Sequence, residues 1–408
     1  MPGEAGRAPL IDTIKAVAAQ LIVLHHLAWY GPMSDVAATA SPWLSAGQDW
    51  LAEYGRYAVA AFLAVAGYLA AQSLSPRGLP PDRSPLSLIT QRYLRLAGPY
   101  AVALLLAIVS AALARQWMTH DSIGSPPDLW QFFAHLFLLH DLLDFEALSA
   151  GVWYIAIDFQ LYALLVALLW VAARLQRRPA SPTGISRGHA DFVGPLPRKR
   201  RLTVSSFRRK PESREFNNMD TGFRRCDGLI GISLVLMVAF ASLFYFNQRD
   251  AWDATALYFF GAYALGVGSS WAVRSARPYR FLLLLTLIGV TALWFDFRPR
   301  IAVALSVALA LGLAHLHGPI GAGLGNQLIT RLGRMSYALF LVHFPICLII
   351  NAAFHRLAPH DPHLNALGVL VAWVASNLAA MLFYHQVERR LSALWRISPP
   401  VPQYLRGN

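Results

Sequence analysis

Long apolar stretches recur along the whole chain and are separated by shorter polar segments. Each stretch has about 18 to 22 residues, the length that crosses the hydrocarbon core of a bilayer as an α-helix. The pattern therefore predicts an all-α fold, a polytopic membrane bundle of about ten transmembrane helices. These helices are predicted at 10–30, 57–75, 94–114, 152–173, 228–246, 254–272, 279–296, 300–317, 333–354 and 364–386.

Basic residues set the predicted orientation of the bundle. Lys and Arg in short loops stay on the cytoplasmic side of a membrane. Every second loop is basic, which predicts that both termini are cytoplasmic. The apolar segment 129–140 is too short to span and would break this alternation, so we interpret it as an interfacial or re-entrant piece. The basic residues that carry the pattern are Arg7, Arg77, Arg83, Arg92, Arg95, Arg274, Arg277, Arg280, Arg331, Arg334, Arg389, Arg390 and Arg396.

Composition supports the membrane class and locates the excess charge. Hydrophobic residues make up 56% of the chain and charged residues 14%, a balance unlike that of soluble domains. The net charge of +13 comes mostly from residues 174–225, which contain fourteen Lys and Arg but only four Asp and Glu. We interpret 174–227 as a basic cytoplasmic insertion that is disordered or lies on anionic membrane lipids, and we expect no nucleic-acid partner. It interrupts a single transmembrane domain of 1–396, which is followed by a cytoplasmic tail at 397–408.

The first predicted helix carries two residues that a bilayer disfavours. Lys15 and His26 are eleven positions apart, about three helical turns, so they share one face. Ionisable groups at membrane depth usually face a bundle interior and mark a pathway or a catalytic site. Alternatively, Lys15 reaches the cytoplasmic surface while His26 ends the helix in the opposite headgroup layer.

Two further polar positions interrupt apolar segments. Arg92 and Arg95 are neighbours on one helix face at the predicted cytoplasmic start of a helix, where they can bind one phosphate or anchor the helix in the membrane surface. Asp158 lies inside an apolar run, where an unpaired carboxylate costs about 2.5–3.5 kcal/mol. Its partner is Lys15, His26 or an Arg of a neighbouring helix; the sequence does not distinguish them.

Metal chemistry is not expected. The outer-loop histidines His120, His135 and His140 lack the spacing of metal ligands. The two cysteines, Cys226 and Cys347, are predicted to lie in different parts of the bundle, which argues against a metal cluster or a disulfide framework.

Five short motifs follow one another in chain order, at 11–15 with His26, 62–69, 92–95, 153–162 and 336–345. Together they resemble the motifs of the integral-membrane acyltransferase family 3, whose members acylate sugars of bacterial surface and exported glycans. In this chain Lys15 stands where the family usually has Arg, Ala66 where it has Ser, and Asp158 where it has Glu.

The resemblance implies a membrane O-acyltransferase of the bacterial inner membrane. No cofactor would be resident; acyl-CoA, as acetyl-CoA, would be the co-substrate, and a glycan or lipid-linked saccharide would accept the acyl group. Arg92 and Arg95 would bind the donor's phosphates, and His26 would act as the general base. Lys15 would hold the oxyanion or a pyrophosphate group, and Asp158 would orient an imidazole or pair with Lys15. The expected cavity residues are Trp153, Tyr162, Ser336, Tyr337, His343 and Glu388.

Two alternatives stay open. Buried Lys, His and Asp also suit a proton-coupled transporter or flippase, although the chain shows no convincing internal repeat of the kind that transporters use. The departures at polar positions, together with the insertion, are also compatible with an inactive member of the acyltransferase family.

Overall fold

The computed structural model describes residues 2–176, 216–318 and 326–394. These residues form helices and no strands, which confirms the predicted all-α bundle. The helices are α1 (Pro2–Trp29), α2 (Pro32–Ala38), α3 (Pro42–Tyr54), α4 (Val59–Leu74), α5 (Pro85–Ala114), α6 (Leu129–Leu136), α7 (Val152–Gln176), α8 (Phe216–Phe244), α9 (Ala256–Ala272), α10 (Pro278–Phe295), α11 (Pro299–His317), α12 (Gln327–Arg334), α13 (Ser336–Leu357), α14 (Pro362–Phe383) and α15 (Arg389–Leu394), with a π-helical turn, Tyr384–Glu388, between the last two.

A helix occurs at each predicted position of a membrane span. Within the described residues, nine helical segments are long and apolar enough to cross a bilayer. The remaining predicted span corresponds to α9, which has 17 residues and is almost completely buried. Large apolar side chains on α5, α10 and α14 are instead exposed, as expected for surfaces that face lipid. Most of the predicted basic insertion, 177–215, and the predicted tail lie outside the described residues.

The start of α5 differs from the prediction. The helix begins at Pro85 and not near residue 94, because Ser84 caps it by accepting a hydrogen bond from the Ser87 N–H at 3.3 Å. Arg92 and Arg95 therefore lie inside the helix and not at its first turn. The free backbone N–H groups of a helix start are too far away to add to their attraction for an anion.

The segment between α5 and α7 folds back onto the bundle. Its one α-helix, α6, has 8 residues and is too short to span a bilayer, as predicted for this apolar segment. The Tyr93 hydroxyl donates to the Leu136 carbonyl oxygen at 3.1 Å, and the Leu148 N–H donates to His135 Nε2 at 3.0 Å. His135 therefore connects α6 to the residues just before α7. The segment forms part of the wall of the outer cavities described below.

Helices α4 and α9 cross with their backbones almost in contact. A Cβ atom added to Gly266 would lie 1.9 Å from the Ala64 carbonyl oxygen, and one added to Gly67 would lie 2.0 Å from the Tyr263 carbonyl oxygen. Only glycine leaves room for this crossing. Because both helices line the candidate site, their separation sets its width.

Gly266→Ala is expected to destabilise the protein by at least about 1–3 kcal/mol, because the new methyl group overlaps backbone that has no rotamer with which to move away. The measurement is the melting temperature of purified protein in detergent. Gly47→Ala is the matched control, since Gly47 also lies in a helix but has no atom within 4 Å of the added methyl group. Equal melting temperatures for the two variants would contradict the crossing.

Candidate functional site

A cavity of about 760 Å³ opens at the predicted cytoplasmic end of the bundle. Its mouth is formed by exposed Ser73 and Arg95, and its inner end by buried Phe340 and Tyr263. The walls come from α1, α4, α5, α7, α9, α13 and the π-helical turn. Eight residues predicted for the site line it: Lys15, Arg92, Arg95, Asp158, Tyr162, Ser336, Tyr337 and Glu388.

Arg92 is the ion-pair partner of Asp158, which the sequence alone did not identify. Its guanidinium Nη2 donates a short hydrogen bond to Asp158 Oδ2, and the Tyr162 ring lies 5.3 Å from the guanidinium carbon. The pair is mostly shielded, with 29% of the Arg92 side chain and 10% of the Asp158 side chain exposed. Asp158 thus holds Arg92 at the cavity wall, and Lys15 is not its partner.

Two cations of the cavity have no ion-pair partner among the described residues. Lys15 and Arg95 both line it, and neither forms an ion pair there. Asp12 and Glu388 are both close enough to act on the charge of Lys15 without forming an ion pair with it, and Glu388 Oε2 is buried with no hydrogen-bond partner in the described part of the chain. Besides the tethered guanidinium of Arg92, the cavity therefore presents two positive charges that are not bound in an ion pair within the described residues.

His26 and His343 form a hydrogen-bonded pair next to this cavity. His343 Nδ1 lies 2.9 Å from the Leu339 carbonyl oxygen and must donate to it, because a carbonyl only accepts. His343 Nε2 is then an acceptor, and His26 Nδ1, 2.7 Å away, donates to it. In neutral His26 this leaves the lone pair on Nε2, which has no hydrogen-bond partner among the described residues. The hydrogen-bond network therefore fixes the tautomer of His26 in which Nδ1 carries the hydrogen and Nε2 is free to act as a base.

Aromatic side chains separate the histidine pair from the open cavities. Phe340 borders the cytoplasmic cavity and stands 6.1 Å from the His343 ring, centroid to centroid. On the opposite side, the rings of Tyr30 and Phe344 lie 5.4 and 6.1 Å from the His26 ring. These two residues border a second cavity of about 190 Å³. Lys15 and His26 therefore share a helix face, as predicted, but do not line one continuous open cavity.

A third cavity, of about 770 Å³, lies at the predicted outer end. Trp153 lines this cavity and not the cytoplasmic one, whereas the next residue, Tyr154, lines the cytoplasmic cavity. Burial, together with the nearby charge of Asp253, raises the pKa of Asp141 on its wall to about 6. Burial beside His135 lowers the pKa of His140 to about 3, so this imidazole is neutral at physiological pH.

Sequence reasoning missed several aromatic residues of the cytoplasmic cavity. Tyr263 comes from α9, which none of the recognised motifs covers. Phe340 lies inside a recognised motif, but its position between the cavity and the histidines depends on helix packing. His25, next to His26 in the chain, packs against α3, where its Nδ1 bonds the Leu51 carbonyl oxygen at 3.0 Å. The described residues hold no cluster of three metal-ligating side chains.

Comparison with known protein families gives one match. Residues 9–187 match the family model of acyltransferase family 3, described as an acyltransferase domain. This confirms the resemblance that the sequence motifs indicated. The matched range includes α1 to α7 and hence His26, both arginines and Asp158. No curated protein and no solved structure matches the chain.

Proposed function

Because the chain carries a membrane acyltransferase domain of family 3 over residues 9–187, we propose that it transfers an acyl group, an acetyl group in the simplest case, from cytoplasmic acyl-CoA to a hydroxyl of a surface or exported glycan. The observation that carries this proposal is the cytoplasmic cavity with its cations, adjacent to a histidine whose free nitrogen is a base. The proposal places the protein in the inner membrane of a bacterium.

The shape and charge of the cavity suit acyl-CoA, a long ligand with phosphates at one end and an acyl thioester at the other. Arg95 at the mouth would bind phosphate oxygens, and a guanidinium does so through two parallel hydrogen bonds. Apolar residues of α4 line one wall of the cavity, namely Phe62, Val65, Ala66 and Leu69. Such a wall suits the pantetheine arm and the acyl chain.

His26 would act as the general base in a single displacement. Its Nε2 takes the proton of the acceptor hydroxyl as the oxygen attacks the thioester carbonyl, and the new C–O bond forms while the C–S bond breaks. The same nitrogen then returns the proton to the departing thiolate, which leaves as CoA thiol. His343 accepts the Nδ1–H bond throughout and keeps Nε2 directed at the substrates. For this step the Phe340 ring must move aside.

The acceptor would reach His26 from the opposite side. The cavity beside Tyr30 and Phe344 is small compared with the roughly 300–1,000 Å³ of pockets for drug-sized ligands. It therefore fits the reacting sugar alone, with the rest of a glycan outside. Its walls carry hydrogen-bonding groups from Arg115, Asp121 and Glu146, which suit sugar hydroxyls.

The test is label transfer from radiolabelled acetyl-CoA in inside-out vesicles, with and without an extract of membrane saccharides. We expect label in the saccharide fraction only when both protein and acceptor are present. Consumption of acetyl-CoA that does not depend on acceptor, or saccharide movement without any labelling, would contradict the proposal. The second outcome would instead support a flippase.

Arg95→Ala is expected to raise the KM for acyl-CoA about 10-fold, the loss of one charge-assisted contact of roughly 1.4 kcal/mol, and to leave the KM for the saccharide unchanged. The measurement is initial rate against donor concentration in the same vesicles. Arg83→Ala is the control, because Arg83 is exposed on the same face of the membrane but does not line the cavity. A raised saccharide KM with an unchanged donor KM would argue against the phosphate role.

A further inference from the structure

The hydroxyl of Tyr263 has no hydrogen-bond partner among the described residues. The side chain is 1% exposed, and its oxygen is buried. A buried hydroxyl without a partner costs about 1–3 kcal/mol, so such groups are uncommon unless a ligand completes them. The Tyr263 side chain, which belongs to α9, lines the inner end of the cytoplasmic cavity.

The position of Tyr263 along the cavity determines which part of a ligand it meets. Exposed Arg95 marks the mouth, whereas Tyr263 and Phe340 are buried at the closed end. A donor that enters with its acyl group first places the thioester at this end, because its phosphates stay with the arginine at the mouth. The only group that a thioester offers to an O–H donor with useful strength is its carbonyl oxygen.

We propose that Tyr263 donates a hydrogen bond to the thioester carbonyl of the acyl donor and stabilises the oxyanion that forms on it. This inference rests on the proposed function and adds a residue that lies outside the matched family range and outside every recognised motif. When the acceptor oxygen attacks, the carbonyl oxygen gains negative charge. The bond from the Tyr263 hydroxyl becomes stronger, and it weakens again as the C–S bond breaks and the carbonyl is restored. The tyrosine keeps its proton throughout.

A fixed donor of this kind accelerates the reaction because it is oriented before the charge develops. Neighbouring groups hold the ring in place: Gly67 lies directly against the Tyr263 backbone, and the Phe260 ring packs 6.2 Å from its own ring. The unfavourable burial of the hydroxyl in the free protein is consistent with a group that is retained for the ligand.

The test compares Tyr263→Phe with Tyr100→Phe. Tyr100 is the matched control: it is also fully buried, its hydroxyl also lacks a partner among the described residues, and it lines none of the three cavities. We expect Tyr263→Phe to lower kcat for acyl transfer about 100-fold, the effect of removing one oxyanion donor. Its donor KM should change less than 3-fold, and Tyr100→Phe should keep the wild-type rate.

Melting temperature in detergent is the second readout. Both variants should melt at or above the wild-type temperature, because each removes a buried hydroxyl that nothing in the protein satisfies. Wild-type kcat in Tyr263→Phe, a raised donor KM with unchanged kcat, or a melting temperature below that of Tyr100→Phe would each overturn the inference. If wild-type protein itself transfers no label, the proposed function fails, and this outcome is distinct because it appears before any variant is compared.

Discussion

His26→Ala is expected to abolish acyl transfer to within the background of the assay, a loss of about 10²–10⁴-fold for removal of a general base. The reason is the hydrogen-bond chain from the Leu339 carbonyl through His343 to His26. This chain leaves Nε2 of His26 unprotonated, so that its lone pair can accept a proton. The measurement is label transfer from acetyl-CoA in inside-out vesicles, with the amount of protein in the membrane checked by immunoblot.

His343→Ala provides the internal comparison for this prediction. It leaves the base in place but removes the acceptor that fixes its tautomer, so we expect a smaller loss, near the lower end of the same range. His26→Gln, which retains much of the side-chain volume, should be as inactive as His26→Ala. Wild-type transfer by His26→Ala protein would exclude His26 as the base and shift attention to another group of the cavity.

Arg92→Met is expected to cost about 3 kcal/mol of stability, because it leaves the shielded carboxylate of Asp158 without its cation. This value is the low end of the range for breaking buried pairs, since part of the arginine remains exposed. Asp158→Leu alone should also destabilise the protein, because it leaves the Arg92 guanidinium without its anion. The double variant, Arg92→Met with Asp158→Leu, should recover most of the stability, because a neutral apolar pair needs no compensation.

Acyl-transfer activity distinguishes a structural role of the Arg92–Asp158 pair from a role in binding the donor. The double variant should remain deficient in acyl transfer even when its melting temperature returns to that of the wild type, because the cavity has lost a cation for the donor. Restored stability together with restored transfer would show that the pair acts only as a structural element. The comparison with Arg95→Ala then indicates how much of the donor contact each guanidinium supplies.

The helical framework was predictable because membrane spans carry a strong, local signal. Length and hydropathy alone predicted the spans, and they also predicted that the apolar segment containing α6 is too short to span. The start of α5 was missed because Ser84 and Pro85, a helix-capping pair, precede the apolar stretch and lie outside it. Capping signals are weaker than a run of apolar residues, and missing them placed the candidate phosphate-binding residues Arg92 and Arg95 about two turns too close to the helix start.

The site was predictable as a set of residues but not as a geometry. The sequence indicated eight of the 21 residues that line the cytoplasmic cavity, including all of its charged ones, partly because a bilayer disfavours charged side chains inside apolar helices. Which of them pair depends on how α5 and α7 pack, so the partner of Asp158 stayed open until the structure showed Arg92. Tyr263 gave no signal at all, because a tyrosine within an apolar helix is as common in packing as in catalysis.

The chain of two histidines cannot pass a proton on, because it ends at the carbonyl of Leu339, which does not take up a proton. His343 Nδ1 is committed to that carbonyl, so a proton taken by His26 has no exit through the chain. It can leave only from the nitrogen by which it entered. In the proposed reaction an uncharged acyl group then moves outward while a hydroxyl hydrogen ends on the cytoplasmic thiol. No net electrical work is done across the membrane, so the voltage of an energised cell neither drives nor opposes the transfer.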